Sequence, residues 1–592
     1  MNVFNEEKPA NSTPLITSWS NINWPDVIKR VTKIQQQIFL AEKMFQQEKD
    51  LTQKKLLQKR VTKLQRTLIH SKFNLLLSIK KVTYKYLINR QIHANNFTDS
   101  DKFKLFEELK YVNIKLWKPL SINTETVNNN KCINNKRIIK DLILQNVLRN
   151  ALDPQLEARF KPTAFFRTGH LLADAVSSIF NKVGPRKKRT WVLQITFNLE
   201  SVNKDFILNQ LATFPYLNVL KEYLTKQKLT WNISWKNTCT ASLIPLLINL
   251  YLNDLDDELD IRYRKTNSQI STGPSLVKWL NQCVIFCSSE SEAKNTLQKL
   301  ESKFCKDRGL NIDMTNIVRI TDGFDFEGFN IRLYNADKNN PSGEHKKLLI
   351  KPNKSSIKLV TEQIKAIFNK YKAQSLGFIL NQINPIIVGF AYSWRHVVSS
   401  PAYKYLDWYV DYKIYKHLRR LHIRKSWKWI KSKYYVRDGN AWRVKDPAAP
   451  TVIRQLCRNV SIKRHVLVTF NNSVYDPELK EYWRKRFECL FNENHAEFKV
   501  KLAKRQQYIC PHCGCKLYSD GITGIESLEV NHILPIKFNG TNKYSNLQLM
   551  HVSCHINHHR VYKTENDYLQ YQQEQKMWYD HIWEKFFKLK ET

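Results

Sequence analysis

Four soft ligand side chains stand in two pairs in the last hundred residues of the sequence. Cys510-Pro-His-Cys513 opens the arrangement, and His551-Val-Ser-Cys554 closes it after 551 − 513 = 38 residues. Each pair leaves two residues between its ligands, so each can form a tight knuckle. Two such knuckles supply a tetrahedral zinc site. The role of Zn2+ here would be structural, holding together a domain too small to fold on apolar burial alone. His512 and Cys515 are spare ligands that could enter the set. Of 11 cysteines, four lie between Cys510 and Cys554, and the others are scattered as reduced thiols would be.

Inside the 38-residue loop runs EVNHILPIKFNG (529–540), then YSNLQLMH (544–551), then CHINHH (554–559). His555 and His559 are four apart, so on a helix both reach one divalent ion. This order resembles the HNH nuclease family, whose fold is the ββα-metal unit. The resemblance implies that His532 is the general base that activates water against a phosphodiester. It implies that Asn546 is the central asparagine that orders the loop behind that base. It also implies a divalent cofactor, Mg2+ or a similar ion, on His555 and His559. Asn531 stands where the family usually places a His or Asp ligand. A neutral amide oxygen is a weaker ligand for a hard cation, and water or Glu529 could compensate.

These side chains need a large scaffold. The chain has 592 residues with 95 Lys+Arg against 53 Asp+Glu, a net charge of +42, and 14 glycines, or 2.4%. The charge points to a polyanion partner, with nucleic acid ahead of an anionic membrane surface. An AT-rich gene explains part of the Lys and Asn content, but not the shortage of acids. No run approaches ~18 apolar residues, so no membrane span is expected. The first residues resemble neither a signal peptide nor a transit peptide. Between 51 and 90, in a segment of helical periodicity, there are 11 Lys/Arg and no acid. Residues 95–135 are polar and Asn-rich and read as a loop or insertion. Between 411 and 435 there are nine Lys/Arg, one acid and six interleaved Tyr and Trp. Cations there would neutralise phosphates and aromatic faces would stack on unpaired bases. The candidate RNA-binding residues are Arg419, Arg420, Arg424, Lys425, Trp427, Lys428 and Lys431.

The body of the chain resembles the reverse transcriptases encoded by group II introns. The carriers are KRIIKDLILQNVLRNALDPQLEARF (136–160), FFRTGHLLADAV (165–176), PLLINLYLNDLDDEL (245–259), VIFCSSESEA (284–293) and FEGF (326–329). NPIIVGFAYSWRHV (384–397) resembles the family's maturase domain, called domain X, and residues 460–486 resemble its connector to DNA-binding and nuclease parts. The N-terminal helices ending in KKVT (80–83) fit as well, without the glycine turn that follows in the family. The family's polymerase holds two metal ions on three aspartates. Alignment puts Thr196 on the first and Asn281-Gln282 on the other two, and Thr240-Ala241 replace a glycine pair. Amides and a hydroxyl cannot neutralise paired cations, so polymerase activity is expected to be lost.

The resulting expectation is a multidomain α+β protein. It comprises an N-terminal basic helical region (1–135), degenerate reverse-transcriptase fingers and palm (136–345), and a helical thumb or domain X (346–459). A connector (460–500) and an HNH domain with a structural zinc (501–592) follow. Its function would be to assist splicing of a host group II intron RNA, with an HNH endonuclease acting on a double-stranded DNA target. The alternative is an active multifunctional reverse transcriptase and endonuclease of a mobile intron. Lys/Asn-rich, Gly-poor coding favours an organelle, with the chloroplast ahead of the mitochondrion and a bacterial cytoplasm as the other setting. No membrane partner is expected.

Overall fold

A computed structural model describes residues 18–83, 98–120, 133–183, 188–226, 243–263, 273–335, 346–438, 441–469, 471–520 and 527–591. Thr240 and Ala241, and residues 84–90 of the first basic segment, lie outside these. Helices Trp24–Gln47, Leu51–Ile69 and Lys72–Val82 begin the chain. Their boundaries follow from side-chain caps. Asn23, Asp50 and Ser71 each accept a hydrogen bond from an otherwise unpaired N–H of the first turn. The three pack on the long helix Ile133–Arg159 through buried Val31, Ile38, Leu68, Leu76 and Leu152. Buried amides fix the register: Gln65 donates to Gln155 at 2.7 Å and Asn150 donates to Asn74 at 2.7 Å.

The expected loop at 95–135 is corrected in its described part. Asp99–Leu109 is a helix, started by a capping box between Thr98 and Asp101 and held by buried Leu105, Phe106 and Leu109. Polar composition masked this three-residue apolar stripe.

The centre of the molecule is a four-stranded antiparallel sheet in the order β2-β3-β1-β4. Its strands are β1 (Trp191–Asn198), β2 (Ser275–Trp279), β3 (Gln282–Cys287) and β4 (Asn311–Arg319). The block around Gly169 is anchored from behind by a far segment. Gly169 has φ +84°, and a Cβ there would meet Val474 and Trp483. Arg167 forms a fully buried ion pair with Glu157 at 2.6 Å and also donates to Asn471.

A second sheet contains β5 (Phe324–Phe326), β6 (Phe329–Asn335) and β7 (Lys346–Pro352). Helices Lys354–Lys370, Leu376–Trp394, Ser400–Leu421 and Trp427–Tyr434 follow. They share a core that includes Ile364, Leu380, Ile387, Leu406 and Ile414. One helix, Leu376–Trp394, is long and apolar enough to cross a membrane by length and composition, with 44% of that window buried inside the protein. These helices lead into a three-stranded sheet that no sequence signal marks. It is formed by β8 (Tyr435–Asp438), β9 (Ala441–Asp446) and β10 (Ala449–Ile453).

The chain then crosses back over the central region. His465 and Arg486 both reach the buried carboxylate of Asp174, at 3.0 and 2.9 Å. Helices Lys480–Asn494 and Glu497–Arg505 lead to the last unit, a hairpin of β11 (Leu528–His532) and β12 (Leu547–His551) with helix Val552–Val561. That unit rests on the N-terminal helices. Asn557 donates to Asp99, and Lys80 approaches Cys515 at 3.9 Å.

Candidate functional site

The two knuckles meet because β12 delivers His551 opposite Leu528 and the next helix begins at once, turning Cys554 inward. The ligand atoms of Cys510, Cys513, His551 and Cys554 all lie within 4.8 Å of one another. Among the described residues this is the one such group of His, Cys, Asp or Glu. His551 Nε2 donates to the Lys516 carbonyl at 3.1 Å, which leaves Nδ1 bare and aimed at Cys513 Sγ, 3.4 Å away. The sulfurs compete for protons. Hydrogen bonds from Cys510, Cys515 and Cys554 hold the Cys513 thiol far below the usual thiol range, while Cys510 and Cys513 push Cys554 far above it. A tetrahedral zinc relieves this competition by taking the place of the protons, so these residues fit that ion. Cys515 turns its sulfur to the Cys513 carbonyl at 3.6 Å, and neither it nor His512 joins the group.

The hairpin that builds this cluster also presents His532 at the end of β11, opposite Leu547. Behind it, Asn546 is buried and ties the loop into shape. Its Oδ1 accepts from Leu534 N at 2.9 Å, and its Nδ2 donates to the Leu534 and Thr541 carbonyls, each at 2.8 Å. The loop closes so tightly that a Cβ at Gly540 would overlap the Leu534 carbonyl. That closure brings Asn542 to His532: Oδ1 accepts from Nε2 at 2.8 Å. The neutral imidazole then keeps Nδ1 as its free lone pair.

His555 and His559 lie on the outer face of the following helix with their Nε2 atoms 3.1 Å apart. Adjacent nitrogen ligands about 2.1 Å from one ion would sit about 3 Å apart. Each outer nitrogen is engaged: His555 Nδ1 with the Glu529 carboxylate at 2.7 Å, and His559 Nδ1 with the Tyr568 hydroxyl at 2.8 Å. Glu529 fixes the His555 tautomer and leaves its Nε2 bare toward His559. Burial, and then the neighbouring His555 and Lys537, lower the His559 pKa and favour its neutral, ligating form. The pair therefore fits a divalent cation. Asn531 stands two residues after Glu529 on β11, but it is buried with Nδ2 unpaired, and no hydrogen bond joins it to either histidine. Asn542 and Tyr568 were not singled out from the sequence. The one cue for Asn542 is its place two residues after the Asn539-Gly540 turn and ahead of Asn546.

The aligned polymerase positions also come together. Thr196 on β1 lies directly opposite Gln282 on β3. Asn281 sits in the turn between β2 and β3, locked to β1 in both directions. Its carbonyl accepts from Phe197 N at 3.0 Å, and its side-chain amide donates to Phe197 O at 3.0 Å. The nearby acids of the 245–259 block are already committed. Asp256 is fully buried, 2.5 Å from Lys278 and bonded to Thr163 and Tyr263, while Asp254 pairs with Arg308 at 3.0 Å.

Of the proposed RNA-binding residues, Arg419, Arg420, Arg424, Lys425, Lys428 and Lys431 are exposed across the helix Ser400–Leu421, the turn after it and helix Trp427–Tyr434. Trp427 is half-buried, edge-on to Tyr415 and Tyr435, so its ring partly supports the core.

Comparison with known families gives three matches in chain order. Residues 19–90 match the N-terminal domain of reverse transcriptase. Residues 357–435 match the group II intron, maturase-specific domain. Residues 510–560 match HNH endonuclease, a span that contains the four clustered Cys and His side chains together with His532, Asn546, His555 and His559. No curated protein matches the chain as a relative.

Proposed function

We propose, for a chain that belongs to the group II intron-encoded reverse-transcriptase and maturase proteins and carries an HNH endonuclease domain, that it works as a splicing maturase with a live nuclease and a silent polymerase. The observation that carries this reading is the contrast between two centres. At the sheet centre, a hydroxyl faces an amide and the adjacent amide is spent on a backbone lock. At the hairpin, two imidazole nitrogens converge beside an oriented third.

In the nuclease, His532 Nδ1 takes a proton from the attacking water while Asn542 holds the Nε2–H and thereby the ring plane. Asn546 fixes the loop that carries both. His555 and His559 would hold a divalent ion, oriented by Glu529 and Tyr568, and that ion supplies charge stabilisation of the phosphorane and of the leaving oxygen. Asn531 is the weakest member of this set, with Glu529 nearer to the ligands. Cys510, Cys513, His551 and Cys554 would hold zinc, which supplies folding stability rather than chemistry. The partners are the host intron RNA, met by the exposed cations of the thumb, and a double-stranded DNA target. An organelle, the chloroplast first, is the proposed setting.

The test is a paired assay on the full chain. With Mg2+, it should nick supercoiled DNA, and His532→Ala should abolish nicking while leaving zinc content unchanged. On an RNA template it should not extend a primer. Unaltered nicking by His532→Ala would remove the base from its role, and robust primer extension would restore the active reverse transcriptase as the better reading.

A further inference from the structure

The helix Ser400–Leu421 has two faces that do different work. Its inner face carries Ala402, Tyr403, Leu406, Val410, Ile414 and Leu418, all buried. That stripe is a complete core contact, so the helix needs nothing more from its outer side to pack. Yet the outer side is aromatic. Tyr405, Trp408, Tyr412 and Tyr415 recur three and four residues apart on one face. They remain 46%, 59%, 39% and 41% exposed. The rings are ordered against each other: Trp408 and Tyr412 stack with centroids 5.8 Å apart and planes 10° from parallel, and Tyr405 leans on Trp408 at 5.9 Å. At 1.5 Å of rise per residue, the four rings extend over about 15 Å of surface.

The unpaired charge on this face is cationic. Lys404, Lys416 and Arg420 are exposed along it, and Lys416 lies over the Tyr412 ring at 4.6 Å. Lys413, over Tyr409 at 5.5 Å, has its pKa lowered by partial burial and then by Lys365 and Lys416. The helix contains two acids, and both are engaged by arginines of the segment that follows. Asp407 is buried and accepts from Cys457 N at 2.8 Å, with Arg458 3.7 Å away, and Asp411 pairs with Arg454. No ion pair neutralises Lys404, Lys413, Lys416 or Arg420 among the described residues. Exposed cations without an acidic partner among the described residues, beside rings left in water, suit an occupant with phosphates and flat apolar faces together.

We propose that Tyr405, Trp408 and Tyr412 form a stacking platform for unpaired RNA bases, with Lys404, Lys416 and Arg420 taking the phosphates beside them. A duplex offers phosphates but keeps its base faces covered, so it would use the cations and leave the rings idle. An acidic protein segment or an anionic membrane would use the same charges, and both are arms of the test. The proposal rests on the RNA-binding reading of the thumb and adds the state of the RNA it reads there: a loop, bulge or single-stranded junction.

The experiment uses the full chain and an unstructured oligoribonucleotide of about 12 nucleotides carrying 2-aminopurine, whose fluorescence falls when the base stacks. Wild type should quench it. Trp408→Ala should lose most of the quenching and weaken binding about tenfold, Trp408→Phe should recover most of both, and neither should change affinity for a blunt RNA duplex. Because no phosphate contact is removed, the salt slope of Trp408→Ala should match wild type, whereas Lys416→Ala should lower it by about 0.7. Tyr405 and Trp408 are exposed, so zinc content and thermal unfolding should stay unchanged and exclude misfolding. The proposal is overturned if wild type does not quench, if Trp408→Ala binds the single strand normally, or if single-strand and duplex binding fall together. It is equally overturned if the Trp408→Ala defect appears on phosphatidylglycerol vesicles or on a poly-glutamate peptide instead of on RNA. Binding of the intron RNA itself, measured in parallel, separates this failure from failure of the maturase reading: wild-type chain that ignores the intron removes the broader claim, whereas intron binding insensitive to Trp408→Ala removes only the platform.

Discussion

At the turn between β2 and β3, Asn281 donates its amide to the Phe197 carbonyl, and a carboxylate in its place would set lone pair against lone pair. Asn281→Asp should therefore cost about 1–3 kcal/mol of stability in denaturant unfolding of the full chain. Unchanged stability would show that the lock is not what holds the turn. The same substitution should not restore primer extension. At the nuclease, Asn542→Ala should lower the nicking rate about tenfold with zinc content unchanged, and Asn542→Asp, which still accepts from His532 Nε2, should retain most of it. Equal rates in wild type and Asn542→Ala would exclude the orienting role. The meeting of Cys510, Cys513, His551 and Cys554 was legible from spacing, because each pair leaves two residues between its members and can form a tight knuckle. Asn542 was not, because its contact exists only after Asn546 and Gly540 close the loop. Trp427 was legible as an aromatic among cations but not as a packing residue, since burial depends on Tyr415 and Tyr435 arriving from other elements.

The first three helices announce themselves through caps at Asn23, Asp50 and Ser71 and could be read from periodicity, whereas Asp99–Leu109 could not, because its polar composition hides a three-residue apolar stripe. The strands β8, β9 and β10 could not. Helix Trp427–Tyr434 passes straight into β8 at Tyr435, with φ −106° and ψ 124°, and no glycine or proline marks the change. The helix Ile133–Arg159 carries an electrostatic cost that a sequence cannot display. Asp141 is buried, and that burial raises its pKa from 3.8 to about 6, against hydrogen bonds from Leu120, Gln145 and Trp117. An acid whose folded pKa is raised stabilises the fold fully below its unfolded pKa and loses that contribution as pH rises through the folded value. Stability should thus fall between about pH 4 and 6 by up to about 3 kcal/mol, two pKa units, and then level. Asp141→Asn should match wild type near pH 4 and exceed it above pH 6 in thermal unfolding. A constant difference at all pH values would place the cost elsewhere.

Across the whole molecule, the +42 charge is not spread evenly. In the helix Ser400–Leu421, Asp407 is buried and Asp411 pairs with Arg454, so the exposed Lys404, Lys416 and Arg420 face no unpaired acid of that helix. Binding to structured RNA should weaken by about a thousandfold or more between 50 and 200 mM salt, as counterion release from several phosphates requires. A salt-insensitive affinity would argue against a phosphate-led interface. The HNH unit leans on the N-terminal helices through Asn557 and Cys515, so stripping zinc should expose residues 510–560 to protease while leaving the thumb protected. Protection unchanged by chelation would mean that the unit stands on packing alone. The most direct test of the central claim is the RNA that the full chain holds in the cell, crosslinked, recovered and sequenced. The account predicts that one group II intron dominates the reads. Reads spread over unrelated transcripts in proportion to their abundance would contradict it.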